Sequence, residues 1–175
     1  MPLTTYTAGE VLTAASLNAN LSFAAGGVVQ VKSTTKTDTF SSSSSSYTDV
    51  TGMSQSITPT SASNKVLIVV TMSIGANFDQ YFFRLMRGAT AICVGDAAGI
   101  RTQSTAGIGI PDANVAYPLS MSFLDSPATT SATTYKVQVI SPGSVAMRVN
   151  SSYADDNQAN RTRSTSTITV FEVTP

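Results

Sequence analysis

The stretch Lys65-Val66-Leu67-Ile68-Val69-Val70-Thr71-Met72-Ser73-Ile74 decides how the chain is read. It contains the longest apolar run, Val66 to Val70, which has the length of a strand and falls far short of the roughly 20 apolar residues of a membrane helix. No membrane insertion is expected. From Val28 onward Val, Ile, Thr, Tyr and Phe recur in short runs parted by Ser, Gly, Pro, Asn and Asp, the mark of strands and turns. The runs 28–33, 35–40, 47–50, 55–58, 65–74, 81–87, 90–94, 117–124, 134–140, 145–149 and 165–173 are predicted strands. So many short strands imply an all-β fold, a β-sandwich or jelly roll.

Alternation predicts which faces are buried. Val137 and Val139 oppose Lys136 and Gln138, and Leu119, Met121 and Phe123 oppose Ser120 and Ser122, so these strands have one apolar face. Two strands break the pattern. Val66 to Val70 is apolar on both sides; Tyr81, Phe83 and Leu85 oppose Phe82 and Met86. A two-layer sandwich buries only inner faces, so these strands call for a second cover, a loop or a neighbouring subunit. The subunit is the preferred reading, and Tyr81, Phe82, Phe83, Leu85 and Met86 are the expected interface.

Composition limits the chemistry. Among 175 residues there are 10 basic and 10 acidic side chains, no His and one Cys, which removes imidazole relays, the usual zinc sites and any internal disulfide. Cys93 is expected as a small buried residue. Ser and Thr make up 50 residues, yet 42% of the chain is hydrophobic, so a folded domain rather than a disordered tract is expected. Zero net charge without a basic cluster gives no footprint for nucleic acid. No cofactor is expected.

The remaining motifs are weak. Asp155-Asp156-Asn157 lacks the alternate spacing, Gly and distal Glu of a calcium loop. Gly107-Ile108-Gly109 lacks the third Gly of a dinucleotide fingerprint and reads as flexible loop. Asn150-Ser151-Ser152 and Asn160-Arg161-Thr162 match the glycosylation triplet, which a chain so rich in Ser and Thr yields by chance. Asp155 with Asp156 or Asp125 is the only candidate carboxylate pair for glycosidase chemistry, and neighbours on a strand point to opposite faces. Arg84 and Arg87 are expected to pair with a carboxylate such as Asp96 or Asp125. Two long polar stretches, Gly95 to Ala116 and Asn150 to Arg163, are the expected recognition loops, with Arg101, Asp112, Asn114, Tyr153, Asp155, Asp156, Asn160 and Arg161 as candidate contacts.

Residues 1–27 differ from the rest. Ala14 onward reads as a short helix capped by Thr13, with Leu17 and Leu21 on one stripe, before Gly26-Gly27. A helix of about two turns needs a surface to dock on, its own domain or another protein. Met1 to Tyr6 lacks the positive and apolar regions of a secretory signal.

Several phrases resemble virion proteins of tailed bacteriophages, especially marine and cyanobacterial ones. These are Thr7-Ala8-Gly9-Glu10-Val11-Leu12-Thr13-Ala14-Ala15-Ser16-Leu17-Asn18-Ala19, Thr37-Asp38-Thr39-Phe40, Tyr47-Thr48-Asp49-Val50-Thr51-Gly52, Ile57-Thr58-Pro59, Phe83-Arg84-Leu85-Met86-Arg87-Gly88, Ser122-Phe123-Leu124-Asp125-Ser126-Pro127 and Ser166-Thr167-Ile168-Thr169-Val170-Phe171-Glu172-Val173. The first is similar to the start of phage fibre proteins; the later ones resemble a jelly roll of the C1q/TNF-like type. The resemblance implies a homotrimer on the virion, made in the host cytoplasm, with an anchor over 1–27 and a β-domain over 28–175. It implies attachment to other virion proteins through Val11, Leu12, Leu17 and Leu21, and a host-surface glycan or protein as partner of the outer loops. A fibre is the leading expectation. A capsid decoration or cement protein is the alternative, and a phage-borne carbohydrate-active enzyme the reading from another class.

Overall fold

The computed structural model describes residues 5, 7–11, 13–18 and 27–175. Eleven strands follow in order: β1 (Val28–Lys36), β2 (Phe40–Ser42), β3 (Thr48–Ile57), β4 (Lys65–Ala76), β5 (Gln80–Arg87), β6 (Thr90–Ile92), β7 (Ala106–Gly109), β8 (Ala116–Asp125), β9 (Thr133–Ile140), β10 (Met147–Val149) and β11 (Ser166–Val173). Eight of them are principal. β1, β11, β4 and β8 lie side by side in one sheet, and β3, β9, β5 and β7 in the other. The antiparallel pairs β1 with β11, β3 with β9, β4 with β8 and β5 with β7 join the first principal strand to the last, the second to the seventh, and so inward. That nesting is one long antiparallel ribbon folded over on itself, the jelly roll.

β4 shows why the sandwich forms. Its residues Val66, Ile68, Val70, Met72, Ile74 and Ala76 are all buried, at every second position, while Leu67 and Val69 stand half-exposed on the opposite face. Across the core, Tyr81, Phe83 and Leu85 of β5 and Tyr135, Val137 and Val139 of β9 face them.

This corrects the expected interface. Tyr81, Phe83 and Leu85 have at most 1% exposure and belong to the chain's own core, because period-two alternation turns them inward. Met86 is on the outer face but also buried, between its register neighbours Ala91 and Lys136. Only Phe82 keeps partial exposure. Cys93, expected inside, is exposed: β6 stops at Ile92, and a left-handed residue (φ 53°) turns the thiol outward. The segment read as loop from Gly95 to Ala116 contains β7, paired with β5 from Ala106 to Gly109.

The end of the sandwich beyond Ile57 is held by a buried carboxylate. Glu172 accepts hydrogen bonds from Gln30 Nε2 (2.6 Å), Asn64 Nδ2 (2.6 Å), Thr60 N (2.7 Å) and Thr60 Oγ1 (2.8 Å). Burial pushes its pKa up, but these donors outweigh it and bring the group down to about 2 from 4.5. They tie the β3–β4 connection to β11.

Two outcomes follow from these placements. Phe83→Ala should cost about 4 kcal/mol in urea unfolding, whereas Phe82→Ala should cost less than about 1.5 kcal/mol; equal costs would refute the assignment of faces. Because Glu172 keeps its charge to lower pH in the folded chain than in the unfolded one, its contribution is full above about pH 5 and fades as pH falls toward 2. Urea midpoints should therefore drop between about pH 5 and 3, and the drop should shrink in Glu172→Gln.

Candidate functional site

The expected recognition residues divide in the folded chain. The loop between β7 and β8 meets the one between β10 and β11 through Ala154 N–H donating to Ala113 O (3.0 Å), which brings Asp112, Asn114 and Tyr153 to one end of the sandwich. Asp112 Oδ1 accepts from Asn114 N (2.8 Å) and shapes that turn. Arg101 lies elsewhere, on an excursion that leaves β6 and returns where Thr105 Oγ1 accepts from Leu85 N (3.0 Å), filling the gap between β6 and β7 at the edge of β5.

The acidic candidates are engaged by arginines. Asp155 accepts from Arg148 Nη1 (2.8 Å) and forms an ion pair with Arg163 Nη2 (2.9 Å). Asp156 accepts from Arg161 Nε, which holds its carboxyl below the usual range; Asn160 is exposed beside them. Asp125, nearly buried, takes both Arg87 Nη1 (2.9 Å) and Tyr135 OH (2.7 Å). The expected Arg87–Asp125 pair is therefore present, but Arg84 instead donates to Gln138 Oε1 (2.8 Å), its guanidinium 3.9 Å from the Tyr47 ring centroid.

Glycosidase use of Asp125 with Asp155 fails on distance. Asp125 is paired with Val66, and Arg148, the partner of Asp155, with Gly75. Nine strand residues separate those positions, roughly 30 Å at ~3.3 Å each, against about 5–9.5 Å between working carboxylates.

The loop after β10 is locked by Asn150. Fully buried and left-handed (φ 66°), it donates from Nδ2 to Lys36 O and Asp38 O (both 2.9 Å), while Oδ1 accepts from Ser166 Oγ (2.6 Å). Its amide is fully used, so its glycosylation triplet is a coincidence of composition. A Cβ on Gly75 would collide with the Ser151 carbonyl, so only Gly lets this loop lie on β4.

At the N-terminus, Thr13 Oγ1 accepts from Ser16 N (3.1 Å) at the head of a short helix, 14–18, as the sequence predicts. Val11 and Leu17 are exposed; Leu12 and Leu21 lie outside the described residues.

Two features lie outside these candidates, the second seen in the sequence only as the two-sided apolar run Val66 to Val70. One is a cleft of about 620 Å³ lined by Phe78, Asp79, Gln80, Phe82, Pro111 and Pro142. The other is the outer face of the β1–β11–β4–β8 sheet. Its cross-strand rows are Val31–Phe171–Leu67–Leu124, Ser33–Thr169–Val69–Ser122 and Thr35–Thr167–Thr71–Ser120. No charge occurs in these rows, and their hydroxyls bond to one another, Ser33 to Thr169 (2.8 Å) and Thr71 to Thr167 (3.0 Å).

The sequence matches no protein-family model and no curated protein. Among solved structures the chain is similar to "PRD1 vertex protein P5" at 15% identity and TM-score 0.44, over 85% of this chain and 99% of that one. It is also similar to "Structure of infectious bursal disease virus Gx strain" (13%, 0.36) and "Crystal structure of infectious bursal disease virus VP2 subviral particle" (12%, 0.35), each over 83% of this chain and 38% of that one. The chain thus spans well under half the length of the latter two. The jelly roll is established by strand order rather than by these distant likenesses.

Asn150→Ala should lower stability by about 3 kcal/mol, from three side-chain hydrogen bonds at about 1 kcal/mol each, and open 151–163 to trypsin. An unchanged urea midpoint would show that the loop is held by other contacts.

Proposed function

We propose that the chain is a non-enzymatic virion structural protein, a homotrimeric fibre attached to the particle through residues 1–27, with the loops around Asp112, Asn114, Tyr153 and Asp156 facing outward. Three uncharged rows on the outer face of the β1–β11–β4–β8 sheet, bordered by Lys65, carry this reading, and they move the subunit contact from the β5 aromatics to Val31, Phe171, Leu67, Val69 and Leu124. Val31 is 52% exposed and Leu124 47%, at opposite edges of one continuous apolar row.

The occupant that fits is another copy of the chain. Burying these three rows strands no charge, and their paired hydroxyls keep their partners when water leaves. A chain of zero net charge meets its copies without long-range repulsion. Both edges of the sheet resist strand addition: β1 turns Lys32 and Lys36 to the inner side, and β8 carries Pro118, which has no N–H to give. Association is therefore face to face. The engagement of Asp125, Asp155 and Asp156 by arginines, together with the resemblance to phage virion proteins, supports a structural rather than a catalytic part.

Light scattering of the purified chain should give three times 18.2 kDa, and the chain without residues 1–27 should give three times its own smaller subunit mass. Val31→Glu with Leu124→Glu, both on exposed edge positions, should give 18.2 kDa with an unchanged circular-dichroism spectrum. A wild-type mass of one or two copies would refute the trimer.

A further inference from the structure

The cleft at the start of β5 has the features of a small-ligand site built into the fold. At about 620 Å³ it lies within the usual range for such sites. It uses none of the loop residues discussed above, and its existence does not depend on how copies of the chain associate. Its walls are apolar and partly aromatic, with Phe78, Phe82, Pro111 and Pro142 around the buried Ile110. Asp79 and Gln80 are its polar groups, and no Lys or Arg lines it.

Two observations show that this shape is imposed. Phe78 has φ 47°, a left-handed conformation that a bulky side chain rarely adopts, and yet it is 73% exposed. The three-residue connection 77–79 between β4 and β5 calls for a left-handed residue, but Gly or Asn would fill it with less strain than Phe, and backbone strain of this kind gathers at ligand clamps. The second observation is the set of missing side chains. A Cβ on Gly107 would lie 2.9 Å from Phe82 Cδ1, and one on Gly143 would collide with Asp79 Oδ2. These glycines let the Phe82 ring lie across β7 and the Asp79 carboxylate come close to the β9–β10 connection. Asp79 Oδ1 accepts from Gln80 N (2.7 Å), and its backbone carbonyl accepts from Ile110 N (3.0 Å), fixing the carboxylate at the cleft. Among the ion pairs of the described residues Asp79 takes no part.

We propose that this cleft binds a neutral hexopyranose, such as the terminal residue of an uncharged glycan. The C–H face of a pyranose packs on a Phe ring, while its hydroxyls donate to the Asp79 carboxylate and exchange hydrogen bonds with the Gln80 amide. Other ligand classes fit less well. An acidic sugar or a phosphate would meet Asp79 with no cation to offset it. A proline-rich peptide suits an aromatic groove, but proline has no N–H to offer the carboxylate, which would lose water without gaining a donor.

The test is saturation-transfer difference NMR on the full chain with glucose, galactose, mannose and N-acetylglucosamine, and with choline as the cationic comparison. At least one neutral sugar should show saturation at its ring C–H protons with a millimolar Kd. Phe78→Asn should weaken that binding at least tenfold while the melting temperature holds or rises, because Asn adopts left-handed backbone more readily. Gln80→Ala should weaken it as well. No saturation of any neutral sugar, saturation of choline alone, or sugar binding indifferent to Phe78→Asn would each overturn the proposal. The Val31→Glu, Leu124→Glu variant should bind sugar like the wild type, so failure of the trimer and failure of the cleft are read separately.

Discussion

The rest of the architecture depends on β4 being hydrogen-bonded along both edges. β8 pairs with it from Val66 to Gly75, and β11 followed by β10 pairs along the other side. A strand held this way has no register freedom, because a slip of one residue would turn Val66, Ile68 and Val70 to the outside. The same constraint that builds the core also aligns Leu67 with Phe171, Leu124 and Val31, and sets Val69 in the next row of that face. The inner core and the outer apolar face are thus two consequences of one register.

Polar side chains hold the ends of the sandwich where the strands stop. Glu172 does so with neutral donors, Asn150 with backbone carbonyls and a serine, and Asp155 with two arginines. Glu172 and Asn150 thereby satisfy groups that chain reversal would otherwise leave buried and unpaired. These residues look like chemistry in a sequence and act as fasteners in the fold. The cleft has the opposite character: glycines let Phe82 and Asp79 pack close at its wall, and a strained backbone presents Phe78 at its rim.

Where the sequence was legible, the signal was local. The one-sided strands, the Thr13 cap and the pairing of Arg87 with a carboxylate follow from spacing and charge, while the choice of Asp125 over Asp96 came from the fold. β7 was hidden because Ala106-Gly107-Ile108-Gly109 lacks the β-branched and aromatic residues of a strand; its pairing comes from the edge of β5. The predicted strands 47–50 and 55–58 are one strand, β3, whose register shifts between Asp49 and Ser54 around the left-handed Gly52. The β5 aromatics were misplaced because alternation tells that two faces differ without telling which faces inward.

By itself the sequence determined an all-β domain without imidazole chemistry, its strand periodicity, and a Ser- and Thr-rich composition of low charge content and zero net charge, since composition and period two are properties of the chain. Tertiary structure alone decided which face of β5 is buried, that Asp125 and Asp155 lie far apart, and that Phe78, Phe82 and Asp79 share a cleft. Those facts arise from pairing between distant segments, where hydrogen bonding and close packing, rather than the order of residues, choose the neighbours.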